Sequence, residues 1–347
     1  MEKARQAKAY RTQDYEAVRD GGAGLLDLSS RARIIVGGSE AVMFLNGMIT
    51  NDMKTLNENT WMPAAFPNVQ GRLIAALRVV RLGDRTDGQS EFLIDTEGAT
   101  HQQVLKTIDR FTMAGDFKVT DKSSETAMLS LQGCDSSRII KTVFGDSPET
   151  LLKNGVAEVG WQDGQCVVIR ASHTSEDGFD VMVDNKKQSA LTNSFIEAGA
   201  VRVNDETFET LRIEAGIGLF GRDMDESNVV TEANLDDAVS FTKGCYIGQE
   251  IIARIKYRGH VAKKLTGLAF DSNEKVEPGT TLHSADGKEI GRVTSFAFSP
   301  KLETAIALGY VRYEYLRPGT ELNVGSREER AIVTELPFIR GSWYEGN

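Results

Sequence analysis

The segment with the most chemical character is Ser240-Phe241-Thr242-Lys243-Gly244-Cys245-Tyr246-Ile247-Gly248-Gln249-Glu250. Glycines on both sides of Cys245 and Tyr246 let the backbone turn tightly and bring the thiol to a surface. Lys243, two residues away, would favour the thiolate, the reactive form of cysteine. The plainer alternative is a small buried hydrophobe, and the residues alone leave both readings open. Directly downstream, Arg254, Lys256 and Arg258 alternate with Ile255 and Tyr257. A period of two would put these three cations on one face of a strand. His260, Lys263 and Lys264 follow, and no acid interrupts from Ile251 to Phe270. Such a strand could focus a positive field on an anion, or it could be a charged edge that resists aggregation.

Other chemical groups are more dispersed. His101, His173, His260 and His283 show no metal-ligand spacing, so no metal is expected. His173 stands near Glu176, Asp177 and Asp180, but Gly178 marks a turn in which acids are expected to be solvated. Gly216–Gly221 lacks the spacing of a phosphate-cradling turn, and no nucleophile elbow is present. Cys134, Cys166 and Cys245 form neither a disulfide framework nor a zinc site, which suits a reducing compartment, the cytoplasm.

The elements that must position these groups read as an α+β chain. A polar helix over residues 1–24 ends at Gly21-Gly22-Ala23-Gly24. Arg33–Val36 is a short strand, and Ser39 can cap a helix carrying Val42, Phe44, Leu45 and Met48. Thr50-Asn51-Asp52 is a stop or a second cap. Residues 61–95 form a β-region with strands at Leu73–Val80 and Glu91–Ile94, joined by the loop Gly83–Ser90; a helix spans Thr100–Phe111. Strands at Met128–Leu131, Cys166–Arg170 and Phe179–Val183 alternate with helices at Ser136–Phe144 and Gln188–Gly199. After residue 260, strand-like runs are punctuated by Pro278-Gly279, Asp286-Gly287 and Pro318-Gly319, the pattern of a small antiparallel barrel or sandwich. The division expected is 1–258 and 259–347.

The chain has 347 residues, 40% of them hydrophobic, which is ample for a buried core. Forty basic against fifty acidic side chains give a net charge of −10, which argues against direct nucleic-acid binding or a membrane-surface role. The N-terminus lacks the apolar stretch of a secretory signal, and no run approaches the roughly 20 apolar residues of a membrane span.

Lys243–Glu250 (KGCYIGQE) resembles the signature of the YgfZ-type folate-binding proteins, a branch of the superfamily of the glycine-cleavage T-protein, an aminomethyltransferase. The likeness extends along nearly the whole chain. It includes Gly24–Ser29, Thr50-Asn51-Asp52, Leu131-Gln132-Gly133, Glu176–Asp180, Leu211–Gly216, Asp223–Glu226, Gly291–Pro300 and Ala305–Val311. The resemblance implies a folate-binding body of two intertwined subdomains with a C-terminal antiparallel β-barrel, arranged as a ring around a central tetrahydrofolate pocket. Asp180 matches the superfamily's folate-contacting acid, with Glu176 a second candidate. Arg254, Lys256 and Arg258 are expected near the glutamate tail, and Cys245 is expected to be a functional thiol within a motif comprising Lys243, Gly244, Tyr246, Gly248, Gln249 and Glu250.

Two departures stand out. Where T-proteins carry an Asp-Asp pair that includes the catalytic aspartate, Gln70-Gly71-Arg72-Leu73-Ile74 is followed by Ala75-Ala76. The folate-contacting arginine of the superfamily aligns with Phe208. A methyl group cannot accept or position a proton, so ordinary glycine-cleavage aminomethyl transfer is not expected. What the YgfZ-type likeness implies is a tetrahydrofolate-binding accessory protein for iron–sulfur cluster assembly or repair. Its partners would be a reduced folate and iron–sulfur proteins or their assembly machinery, and it would support tRNA-modifying iron–sulfur enzymes indirectly. The alternatives are a folate-dependent one-carbon transferase with another base, such as Asp95, and an RNA-binding module.

Overall fold

The computed structural model describes residues 10–83, 90–110, 115–325 and 329–345. Residues 1–9, most of the Gly83–Ser90 loop and the expected helix end at Phe111 lie outside that set. The chain opens with α1 (Gln13–Arg19), β1 (Gly24–Asp27), β2 (Ala32–Gly37) and α2 (Ala41–Met48). Strands β3 (Thr60–Pro67), β4 (Leu73–Arg81) and β5 (Glu91–Thr96), helix α3 (His101–Asp109) and β6 (Lys118–Asp121) follow. The second half of the body contains β7 (Thr126–Gln132), α4 (Ser136–Phe144), α5 (Asp146–Glu149), β8 (Val156–Trp161), β9 (Gly164–Arg170) and β10 (Gly178–Asp184). It continues with α6 (Gln188–Glu197), β11 (Val201–Arg202), α7 (Asp205–Glu214) and α8 (Gln249–Arg258). Strands β12 (Lys263–Phe270), β13 (Thr281–His283), β14 (Glu289–Ser299), β15 (Thr304–Arg312), β16 (Glu321–Val324) and β17 (Arg330–Thr334) complete the fold.

Two sheets make the body. One is ordered β3-β4-β5-β2-β6 and the other β11-β1-β7-β10-β9-β8. β1 leaves its chain neighbour β2 and pairs antiparallel with β7 and parallel with β11, so the first strand is woven into the sheet of the second half. The sheets pack face to face through Val80, Leu82 and Leu93 on one side and Val156, Val167 and Ile169 on the other. Each also has its own core, around Leu45, Phe66, Val79 and Phe92 in one and Leu131, Ile140, Phe179 and Phe195 in the other. Strands β12-β15-β14-β13-β16-β17 close an antiparallel barrel, which leaves no open sheet edge there. The α+β body with a terminal barrel is the architecture expected from the sequence. Among the described residues, no helix is long and apolar enough to cross a membrane.

Several elements depart from the sequence reading. Arg254, Lys256 and Arg258 lie on helix α8, not on a strand. Gly248 supplies a left-handed start, Glu250 occupies the first turn and Lys256 and Arg258 the last, an arrangement that complements the helix dipole. At about 100° per residue Arg254 and Arg258 share a face while Lys256 points nearly opposite, so the three cations form no single stripe. Ser39 does not cap α2; its hydroxyl donates to Asp116 at 2.6 Å. Asp52 does act as a cap, accepting from the Lys54 amide at 3.0 Å at the start of a short 3₁₀ turn.

Body and barrel are joined by buried ions. Glu214 on α7 accepts from Tyr15 at 2.8 Å, from Arg19 at 2.9 Å and from barrel residue Ser299 at 2.6 Å. Asp223 accepts from Arg212 at 2.7 Å and from Ser295 of β14 at 2.7 Å. Glu176 is not solvated as a turn acid would be. It receives Arg19 at 2.8 Å and the amide and hydroxyl of Ser342 at 2.8 and 2.7 Å. An unpaired charge at these depths would be strongly unfavourable, and each acid has its donors.

Candidate functional site

Arg78 of β4 spans the gap between the two body sheets. Its Nη1 donates to Asp180 of β10 at 2.6 Å, and its Nε donates to Asp95 of β5 at 2.9 Å. Asp95 also accepts from Arg31 at 2.7 Å, and Asp180 lies 2.9 Å from His173 Nε2. Asp95 and Asp180 are fully buried. Burial alone would raise both carboxyls. The charges of Arg31 and Arg78 on Asp95, and of His173 and Arg78 on Asp180, outweigh it and hold both below the usual carboxylate range. Asp95 is therefore a locked carboxylate and a poor proton acceptor, which removes the alternative base named from the sequence.

The alternation of β4 and β5 sets what faces this cluster. Ala75 packs into the core of the five-stranded sheet, while Ala76 lies on the opposite face, the same face as Arg78. Leu77 pairs with Thr96 and Arg78 with Asp95, and Glu97 follows directly after β5 ends. The Thr96 hydroxyl donates to the Ala76 carbonyl at 2.8 Å. Glu97 accepts one bond from the Phe220 amide at 2.6 Å. Burial pushes its carboxyl up to about 7, against the pull of Arg31. A group titrating near neutrality can both give and take a proton. Glu97 and Arg31 are only partly buried, and His173 keeps a 19% exposed side chain, so these three form the accessible rim of the cluster.

The cysteine-bearing loop is built differently from the sequence expectation. Lys243 is buried, and its ammonium donates to the carbonyls of Asn46, Ile49 and Asn51 at 2.7, 2.9 and 2.7 Å. All three N–H bonds are committed to backbone oxygens, which fastens the loop to the end of α2; none is left for Cys245. Burial lowers the pKa of the Lys243 ammonium to about 8. Tyr246 is buried with Ala65, Leu73 and Ile252, whereas Gly244 and Cys245 are exposed. Gly248 adopts φ +78°, and a Cβ there would press on the Asn68 carbonyl and stand 3.0 Å from the Gly71 Cα. Gly71, at φ +69°, is less crowded, with a Cβ there 3.2 Å from the Ile251 Cβ and 3.4 Å from the Gly248 carbonyl oxygen. The KGCYIGQE loop and the Gln70-Gly71-Arg72 turn therefore meet glycine to glycine, and Arg72 continues the joint by donating to the Ser227 carbonyl.

The structure thus brings Asp180 to the centre of the body but places Glu176 at a separate joint with Arg19 and Ser342. Arg254 is an exposed i,i+4 partner of Glu250 at 2.7 Å, Lys256 lies over the Phe241 ring at 5.0 Å, and Arg258 is exposed near the end of α8. Gln249 donates to the Lys243 carbonyl at 3.4 Å. Phe208 is half-buried and packs against Leu26, Leu28 and Met128. Sequence reading missed Arg31, Arg78 and Glu97. The signal available was a lone arginine in the apolar run Leu73–Val80 and the acids that end the strand Glu91–Thr96.

A two-sheet body with a closed barrel and a buried ionic cluster between the sheets defines a known fold. It superposes on the glycine cleavage system aminomethyltransferase T of Bartonella henselae with a TM-score of 0.86, at 24% identity, covering 94% of this chain and 89% of that one. The GCVT N-terminal domain matches residues 2–243, and the glycine cleavage T-protein C-terminal barrel domain matches residues 263–339. An aminomethyltransferase of Rubrobacter xylanophilus is 30% identical over 328 residues, covering 94% of this chain and 86% of that protein. One of Caldanaerobacter subterraneus subsp. tengcongensis is 29% identical over 342 residues, covering 95% and 88%. The chain belongs to the glycine cleavage T-protein family.

Proposed function

We propose that this chain is a tetrahydrofolate-binding member of its family that does not use an aspartate at the positions of Ala75 and Ala76. The observation that carries the reading is the ionic cluster between the body sheets, set in a fold shared over nearly the full length with aminomethyltransferases. The amino-pyrimidine edge of a pterin asks for a carboxylate with free acceptor positions. Glu97, with a single amide donor and a partly exposed position, fits that need better than Asp180, whose oxygens already receive Arg78 and His173. Asp180 is then a positioning residue that sets Arg78 and His173. Titration with tetrahydrofolate tests the reading: Glu97→Gln should weaken binding by about tenfold, the worth of one charge-assisted hydrogen bond. Absence of saturable binding by the parent chain would refute it.

The relatives named aminomethyltransferase favour a second, finer reading, a folate-dependent one-carbon transferase in which Glu97 handles the proton. Its place next to Thr96, whose hydroxyl is bonded to the Ala76 carbonyl, supports this, and turnover that is lost in Glu97→Gln while folate binding persists is the expected sign. The iron–sulfur accessory role, in the cytoplasm, has the KGCYIGQE signature as its support and nothing from the relatives' names. A Cys245→Ser chain that binds folate normally yet fails to sustain iron–sulfur enzymes in cells would favour it over transfer.

A further inference from the structure

We propose that the outer wall of the barrel carries an oxyanion site made by Lys263, Arg292 and Arg312, apart from the cluster between the body sheets. These residues come from three adjacent strands, β12, β14 and β15, and line a depression of about 290 Å³ together with Tyr310 and Glu289. The register places Lys263 directly opposite Arg312 and Arg292 opposite Tyr310. Like charges directly opposed across an antiparallel pair repel each other and weaken the sheet. None of the three cations has a carboxylate within ion-pair distance among the described residues; Lys263 instead lies over the Tyr310 ring, 4.9 Å from its centroid. Elsewhere the chain pairs its arginines closely, as Arg19, Arg31, Arg78, Arg170 and Arg212 show.

Two acids temper the field. Glu289 lines the depression and is exposed, and Asp225, held by the Ser227 amide at 2.7 Å, stands close enough to feel Arg292 and Lys263. Three lining cations against one lining acid still leave an excess of positive charge in a chain of net −10. Beneath them the Tyr310 hydroxyl is buried and has no hydrogen-bond partner among the described residues, so the wall is electrostatically incomplete as it stands. An oxyanion bridging Lys263 and Arg312 would relieve the repulsion and supply acceptors to guanidinium groups suited to bidentate contact. A phosphate group and the neighbouring carboxylates of a γ-linked glutamate chain share that chemistry.

The proposal does not depend on folate binding, because its probes carry no pterin. The full chain is titrated at constant ionic strength with inorganic phosphate and, separately, with tri-γ-glutamate. At least one should bind saturably. The double variant Lys263→Gln/Arg312→Gln should weaken that binding at least about tenfold, as loss of two charged contacts requires. Arg330→Gln, on β17 beside the Phe270 end of β12 and so at the other end of that strand from Lys263, should leave it unchanged. Melting in chloride buffer should show the double variant folded and no less stable than the parent, since the opposed charges are gone. Binding of phosphate alone or of glutamate alone identifies the source of the anion. Binding of neither, or equal weakening in Arg330→Gln, overturns the site.

Discussion

Removing the charge of Glu97 should stabilise the protein, and only above a defined pH. In the unfolded chain the carboxyl titrates near its ordinary 4.5, whereas in the folded chain burial holds it at about 7. The native state thus binds the proton more tightly. Below pH 4.5 both states are protonated and the group is neutral in effect; between 4.5 and 7 ionisation increasingly opposes folding, and above 7 the penalty is complete. The gap of about 2.5 units corresponds to about 3 kcal/mol at 1.36 kcal/mol per unit, and partial exposure reduces that to roughly 2 kcal/mol. Glu97→Gln keeps a carbonyl oxygen for the Phe220 amide and has no charge to bury. Urea unfolding of parent and variant, compared at the same pH so that all other groups cancel, should give near-equal stability at about pH 4. At pH 8 the variant should be more stable by roughly 2 kcal/mol. A variant that is less stable at pH 8 would refute the argument, because it would mean that the ionised carboxylate is welcome where it sits.

Other consequences can be measured on the same protein. Arg78→Met should cost about 3–5 kcal/mol at pH 7 by leaving Asp95 and Asp180 short of a buried partner, with part of the loss recovered in acid as they protonate; denaturant melts at pH 7 and 5 check it. Gly248→Ala should cost more than about 1 kcal/mol, since it meets both a left-handed φ and the backbone of the facing turn, and thermal melting reads this directly. Cys245 and Cys134 should alkylate in the native state while Cys166, whose thiol burial pushes up to about 11, stays protected until unfolding, as mass spectrometry of iodoacetamide-treated protein can show. Cys245→Ser should shift stability by no more than about 0.5 kcal/mol, as expected at an exposed loop position.

Periodic elements were legible in the sequence, and α4 falls on Ser136–Phe144 as its amphipathic spacing predicts. The strand reading of residues 254–258 failed because alternation over five residues also satisfies a helix once Gln249–Ala253 is included. The short strands β1, β8 and β13 were missed because glycine-containing or polar runs of this length carry little pattern before their partners are known. The candidate site was only partly visible. Asp180 and Asp95 stood out by resemblance or by composition, but their shared guanidinium, Arg78, lies 102 residues from Asp180 in the chain. Contacts of that separation are created by sheet packing. Lys243 illustrates the same limit: adjacency to Cys245 suggested activation, and the fold turned the ammonium toward three carbonyls of another segment.

The ionic seam between body and barrel has a consequence for how the molecule can come apart. Ser295 and Ser299 belong to β14, yet the acids they serve, Asp223 and Glu214, belong to the body, and Glu214 is also the acceptor for Tyr15 and Arg19 near the start of the chain. Severing the barrel would expose this seam and strip donors from carboxylates that must otherwise be hydrated or protonated. The first helix, the second half of the body and the barrel therefore share one fate, and a boundary drawn in sequence is not a boundary in free energy. Heat or denaturant should meet a single cooperative unit, and a trimmed body should gain stability from acid, which the intact chain does not need.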